Sequence, residues 1–152
     1  MTGPSFRFRL ERVRALRERR ERLAQEALAQ SLTQLNVSQE GLRSAEAELQ
    51  QALEEQRRAS AGEGSQDGTE LRARQAFLER VQAERIRRQA ALARSEAEVA
   101  DRNAKLATAA GEHEMLLRLR DRRRDEHERE QARRESNAID ELAVVRFRGT
   151  AA

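Results

Sequence analysis

The chain has 152 residues, with 30 Lys and Arg against 27 Asp and Glu, a formal net charge of +3, and only 3% aromatic residues. A thick globular core needs bulky aromatic and branched side chains from several layers, so this composition excludes one. The chain has no Cys, which excludes a disulfide framework and the common Cys-based zinc sites.

What remains is Leu and Ala set among Arg, Glu and Gln, the mixture found in long helices and coiled coils. Charged and apolar residues each make up 38% of the chain. High charge at low hydropathy also suits a disordered chain. The small net charge and the periodic apolar residues described next argue against that. No apolar run approaches the roughly 18 residues of a membrane span. The opening residues lack the apolar stretch of a signal peptide, so the chain is expected to remain in the cytoplasm unless a partner carries it elsewhere.

In chain order, the first expected helix covers about residues 6–59. It contains no Pro and a single Gly, Gly41. Leu28, Leu35, Leu42 and Leu49 fall seven apart, and Ser31, Ser38, Ala45 and Ala52 each follow three residues later. Large and small residues thus alternate along one heptad seam. Leu10, Val13, Leu16 and Leu23 continue it upstream with a phase shift, read as a stutter. Residues 60–68 hold three Gly with Ser and Asp and are expected to form a turn. Asp67, three residues before Glu70, suggests a capping box for the second helix.

That second helix is expected over about 69–145, with a frayed tail at 146–152. Leu71, Leu78, Leu92, Val99 and Leu106 lie on its seven-residue grid. Arg85 interrupts the grid, and Val81, Ile86 and Leu116 fill neighbouring seam positions. Folding at the turn sets Leu49 against Leu78, Leu35 against Leu92, Leu28 against Val99 and Leu10 against Leu117. The expected fold is therefore all-α: one long antiparallel coiled-coil hairpin domain whose second helix is the longer. The first helix would be about 75–80 Å long, and the second would overhang it from about Asp121 to Val145. Seam positions held by Ser31, Ser38, Arg85, Ser95 and Arg102 make the core thin and the stability marginal.

Charge is uneven along the chain. Arg7–Arg22 carries eight Arg and three Glu; Glu40–Glu70 carries three Arg and eight acids. Leu71–Ala90 carries six Arg and two Glu, and Leu117–Arg134 carries eight Arg and five acids. In a hairpin, the acidic stretch would be neutralised across the pair by Leu71–Ala90, while the other two basic stretches meet at the open end.

Nothing here resembles a catalytic constellation, a metal site or a cofactor loop. Gly62-Glu63-Gly64-Ser65 lacks the Lys of a phosphate-binding loop. His113 and His127 lie fourteen residues apart, about 20 Å on one helix, and cannot share a metal. His113 is expected near the seam and His127 as a solvated surface residue. The expected protein is not an enzyme and needs no cofactor. The Arg residues are interleaved with acids and lack neighbouring aromatics for base stacking, so most are read as a solvated helix face and no nucleic-acid partner is expected. Phe77 is expected in the core. Phe6, Phe8 and Phe147 lie where helix pairing runs out and suit contact with a partner.

The two ends resemble one known family. Phe6-Arg7-Phe8-Arg9-Leu10-Glu11-Arg12-Val13, then Leu16-Arg17, resembles the opening of the flagellar FliJ family. Arg133-Arg134-Glu135, then Ile139-Asp140-Glu141-Leu142-Ala143 and Arg146, resembles its closing segment. The resemblance implies a non-enzymatic component of the flagellar type III export apparatus, similar to the central stalk of rotary ATP synthases. It implies three partners: the export ATPase hexamer, entered by the open end of the coil, the export gate membrane protein and the export chaperones. It also implies a location at the cytoplasmic face of the inner membrane, reached through partners and without insertion. On this reading Phe6, Arg7, Phe8, Arg9, Arg12, Arg122, Arg123, Arg124, Asp140 and Glu141 are candidates for the ATPase contact.

Three alternatives stand beside it. One is the equivalent stalk protein of a non-flagellar type III system, and another is a nucleic-acid-binding helical hairpin. The third is a self-associating scaffold, against which the Ser and Arg seam positions favour a monomer when free.

Overall fold

In the computed structural model, residues 5–62 and 67–149 are described. Two helices make up the fold, α1 over Glu11–Ala61 and α2 over Gly68–Gly149, with no strand among the described residues. The second is the longer, at 82 residues against 51. The all-α hairpin is thus as the sequence reads.

The helix ends differ from the expected bounds for local reasons. Phe6–Leu10 is not helical, and α1 begins only at Glu11. The Phe-Arg-Phe-Arg alternation has a period of two, which gives a helix no apolar face. The Glu11 amide donates to the Phe8 carbonyl at 3.2 Å, closing a turn at the helix entrance. At the other end α1 runs to Ala61, and Gly68 already belongs to α2; residues 63–66 of the expected turn lie outside the described residues. Asp67 caps α2, its carboxylate accepting the Thr69 amide at 3.3 Å. Glu70 does not reach back to complete a capping box; it pairs forward with Arg74. Helix α2 continues past Val145 to Gly149, because nothing between Gly111 and Gly149 breaks it. Of the expected frayed tail, 146–149 are therefore helical and 150–152 lie outside the described residues.

The chain divides into two packed units: a central unit, Leu23–Leu106, and a terminal unit, Met1–Arg22 with Ala107–Ala152. In the central unit the small residues carry the seam. Ser31, Ala45, Ala52 and Val81 are the only buried residues named among those described. Leu28, Leu35, Leu42, Leu49, Leu78, Leu92, Val99 and Leu106 are half-buried beside them. The seam hydroxyls are satisfied: Ser31 Oγ donates to the Leu28 carbonyl at 2.9 Å, and the Ser38 and Ser95 Oγ atoms share a hydrogen bond of 2.8 Å. Leu71 and Ile86, expected in the seam, are 51% and 55% exposed. Ile86 sits one residue past the seam position held by half-buried Arg85. Phe77, expected in the core, is 43% exposed, with the Arg80 guanidinium 5.7 Å over its ring.

The Ser38–Ser95 bond also fixes the register of this unit. Counting outward from it sets Leu35 level with Val99, Leu42 with Leu92 and Leu28 with Leu106. The expected pairing is off by one heptad. Both registers keep seam residues facing seam residues, so the heptad pattern alone does not separate them.

Among the described residues, no ion pair crosses between the helices from the acidic stretch to the facing basic one. Every ion pair in the central unit, among the described residues, joins neighbours on one helix: Arg43–Glu40, Arg58–Glu54, Arg74–Glu70, Arg87 and Arg88 with Glu84, Arg102–Glu98 and Lys105–Asp101. Partners three or four residues apart are already adjacent, and meeting them orders less chain. Glu84 is held below the usual carboxylate range by its hydrogen bond from Arg88 and by the charges of Arg88 and Arg87.

Candidate partner-binding site

In the terminal unit the heptad seam passes to polar side chains. Arg14, Arg17 and Glu21 occupy the α1 positions, spaced three and four apart without a stutter. Arg17 pairs across with Glu112, and the His113 Nδ1 lies 2.7 Å from the Glu21 carboxylate. A carboxylate only accepts, so the Nδ1–H is the donor in this pair, and the other ring nitrogen is Nε2. That Nε2 is buried without a hydrogen-bond partner.

With polar groups in the α1 seam, the apolar residues expected there on α1 point outward, while Leu116 and Leu117 on α2 stay half-buried. Leu10, Val13 and Leu16 are 40%, 41% and 50% exposed. Leu23, which continued that reading into the central unit, is 55% exposed. The phase shift inferred from these leucines is therefore absent: the heptad stays in frame and accepts charged residues.

Beyond the seam, the non-helical segment Ser5–Leu10 lies along α2. The Phe6 ring packs against His127, with centroids 5.7 Å apart and planes tilted by 58°. This contact half-buries His127, which the sequence had placed in solvent. An open groove of about 730 Å³ follows, with Phe6, Phe8 and Leu10 facing Leu119, Arg123 and His127. Glu11 lies beside Arg120, so α2 overhangs α1 from about Asp121 as expected, but the strap covers it as far as Glu130 and leaves it bare from about 132.

Of the ten residues singled out from the sequence, Phe6, Arg7, Phe8, Arg9 and Arg123 line this one groove. Arg12, Arg122 and Arg124 are exposed on the adjoining helices, outside the groove lining. Arg123 and Arg124 are engaged on their own helix, by Glu126 at 3.0 Å and Glu128 at 3.3 Å. Glu11 at the mouth of α1 is held below the usual carboxylate range by a hydrogen bond from Arg14. Asp140 and Glu141 are not brought to the groove; they lie on the last part of α2, where residues 132–147 are all exposed. That segment carries Ile139, Leu142, Val144 and Val145 at 65%, 66%, 51% and 67% exposure. The sequence reading did not assign Leu10, Leu119 and His127 to the site. The period-two Phe6-Arg7-Phe8-Arg9 was the available signal, since it forecasts an extended strap in place of another helical turn.

The arrangement suits protein contact. Among the described residues, no group of three His, Asp or Glu side chains is placed to hold a metal ion, and no helix is long and apolar enough to cross a membrane. Residues 6–151 match the family described as flagellar FliJ protein. No curated protein and no solved structure matches the chain.

Proposed function

The chain belongs to the FliJ family, components of the flagellar export apparatus, and we propose that it acts there as a non-enzymatic stalk whose terminal unit binds and stimulates the export ATPase ring. The observation that carries this reading is the last part of α2. A helix of this length with Ile139, Leu142 and Val145 exposed has no packing of its own to hold it. Apolar side chains repeating three apart on an exposed helix mark a contact surface. Asp140 and Glu141 would contact the ring beside them. The groove built on Phe6 and Phe8, with Arg7, Arg9 and Arg123, would form a second contact, and Arg12, Arg122 and Arg124 would add positive charge around it. Contacts with the export gate protein and the export chaperones belong to the same proposal, without residues assigned. So does a place at the cytoplasmic face of the inner membrane, held by these partners.

The test is ATP hydrolysis and hexamer formation by the cognate export ATPase, with the full chain or with Ile139→Glu/Leu142→Glu/Val145→Glu added. The concentration of the triple variant needed for half-maximal stimulation should rise at least about tenfold, which corresponds to about 1.4 kcal/mol of binding free energy. Its thermal midpoint should stay unchanged, because these side chains are already in solvent. An unchanged half-maximal concentration would remove the overhang from the mechanism.

A further inference from the structure

We propose that Val13, Leu16, Met115 and Leu119 form a lateral docking face on the terminal unit for an acidic amphipathic helix of a protein partner. This face is separate from the overhang, though it borders the Phe6 groove and shares Arg9, Arg12, Leu119 and Arg122 with it and its rim.

The Arg17–Glu112 pair locates it, because that pair crosses the seam on one side. On α1, Val13 and Arg20 lie one turn to either side of Arg17, with Leu16 beside it. On α2, Met115 and Leu119 follow Glu112 by three and seven residues, so they share its face. Leu119, seven residues after Glu112, also lines the Phe6 groove with Arg9 and Leu10, which lie just before α1. Val13, Leu16 and Met115 are 41%, 50% and 71% exposed, an apolar strip with no seam role.

Charge identifies the occupant. Arg9, Arg12, Arg19, Arg20 and Arg122 are all exposed around the strip. None of the five takes part in an ion pair among the described residues. Elsewhere in the same unit, acids are engaged by arginines: Arg14 bridges Glu11 and Glu18, and Arg124 meets Glu128. The strip therefore has an apolar centre and an uncompensated cationic rim. From Arg12 to Arg20 the α1 part runs about 12 Å, room for about two turns of helix lying between the ridges of α1 and α2. A helix with leucine-like residues on one stripe and Glu or Asp beside it matches both parts. A nucleic acid would match the rim alone, since four aliphatic side chains offer phosphates nothing and bases no stacking platform.

The probe is a fluorescently labelled designed peptide about five turns long, with Leu at helical spacing and Glu flanking the stripe. Its controls are a scrambled isomer of equal composition and a single-stranded DNA oligonucleotide. The full chain should bind the peptide saturably, with helicity gained on binding. The isomer and the oligonucleotide should each bind at least about tenfold more weakly. Leu16→Glu and Met115→Glu should each weaken peptide binding by about tenfold or more without moving the thermal midpoint. Arg19→Gln/Arg20→Gln should weaken it less and flatten its salt dependence. The Ile139→Glu/Leu142→Glu/Val145→Glu variant should bind the peptide normally, which separates this face from the overhang. Equal binding of the scrambled isomer, tighter binding of the oligonucleotide, or indifference to Leu16→Glu would overturn the proposal. So would a dimer in light scattering that Leu16→Glu abolishes, because a second copy would then cover the face.

Discussion

The two units place similar residues on opposite sides of the same heptad. In the central unit the seam is Leu and Val alternating with Ser and Ala, and Ala45, Ala52 and Val81 are buried in it. In the terminal unit the seam is Arg17, Glu21 and His113, while Val13, Leu16 and Met115 face out. A heptad fixes where a side chain points, and chemistry fixes whether that position stabilises the pair. Apolar residues inside hold two helices together through area removed from water. The same residues outside hold nothing until a partner arrives. The central unit is therefore read as the source of cohesion and the terminal unit as the source of contacts.

The sharpest way to break this comparison is to put one charge on each side of the seam. Val81→Asp places a carboxylate where Val81 is 7% exposed, level with Ala52 at 5%. It removes an apolar side chain and strands a charge, and should cost about 2–4 kcal/mol. Leu16→Asp changes a side chain that is half in solvent and should stay within about 0.5 kcal/mol. Thermal melts followed by circular dichroism read both. Equal losses would mean that Leu16 has a packing role and that the two units do not differ as described.

The legibility of the sequence follows the same division. Leu28, Leu35, Leu42 and Leu49, with their small partners, gave the central seam of α1 directly, because one residue type repeats at one spacing. The longer second helix followed from the position of the turn and from the absence of Pro beyond it. Register was not legible, since sliding one helix by seven residues maps seam onto seam; the Ser38–Ser95 bond that decides it is a single polar contact. The terminal seam was misread for a different reason. Hydrophobic periodicity assigns Leu10, Val13, Leu16 and Leu23 inward, and it has no means to see that Arg17 meets Glu112 and Glu21 meets His113 across the pair. Of the groove, the Phe and Arg residues were legible from their place at the basic open end, where helix pairing runs out. Leu119 and His127 were not, because an extended strap reaches residues that a helical continuation would have missed.

Replacing the polar layer itself should give the next largest effect, with a sign opposite to intuition. His113 and Glu21 have side chains 14% and 23% exposed, and the His113 Nε2 has no partner. Exchanging both for Leu removes two desolvated polar groups and adds apolar area, and should stabilise the chain by about 1–3 kcal/mol. His113→Leu alone takes away the imidazole 2.7 Å from the Glu21 carboxylate and should destabilise by about 1–3 kcal/mol. A double variant less stable than the parent would show that the layer contributes cohesion, and the terminal unit would lose its distinction from the central one.

The smallest test compares one glycine from each unit. Gly111 in α2 has nothing within 4 Å of where a Cβ would stand. Gly111→Ala should therefore gain most of the helix-propensity difference, about 0.5–1 kcal/mol. Gly41 in α1 faces the Arg88 guanidinium, whose Nη1 would lie 3.4 Å from the new methyl, and Glu84 holds that guanidinium at 2.7 Å. Gly41→Ala starts from the same propensity gain but must shift or lose part of that contact, so its net effect should be smaller. Gly111→Ala thus reads an open face of the terminal unit, and Gly41→Ala a face of the central unit already occupied across the pair. If the two gains are equal, Arg88 adapts freely, and the central unit packs more loosely than its buried alanines imply.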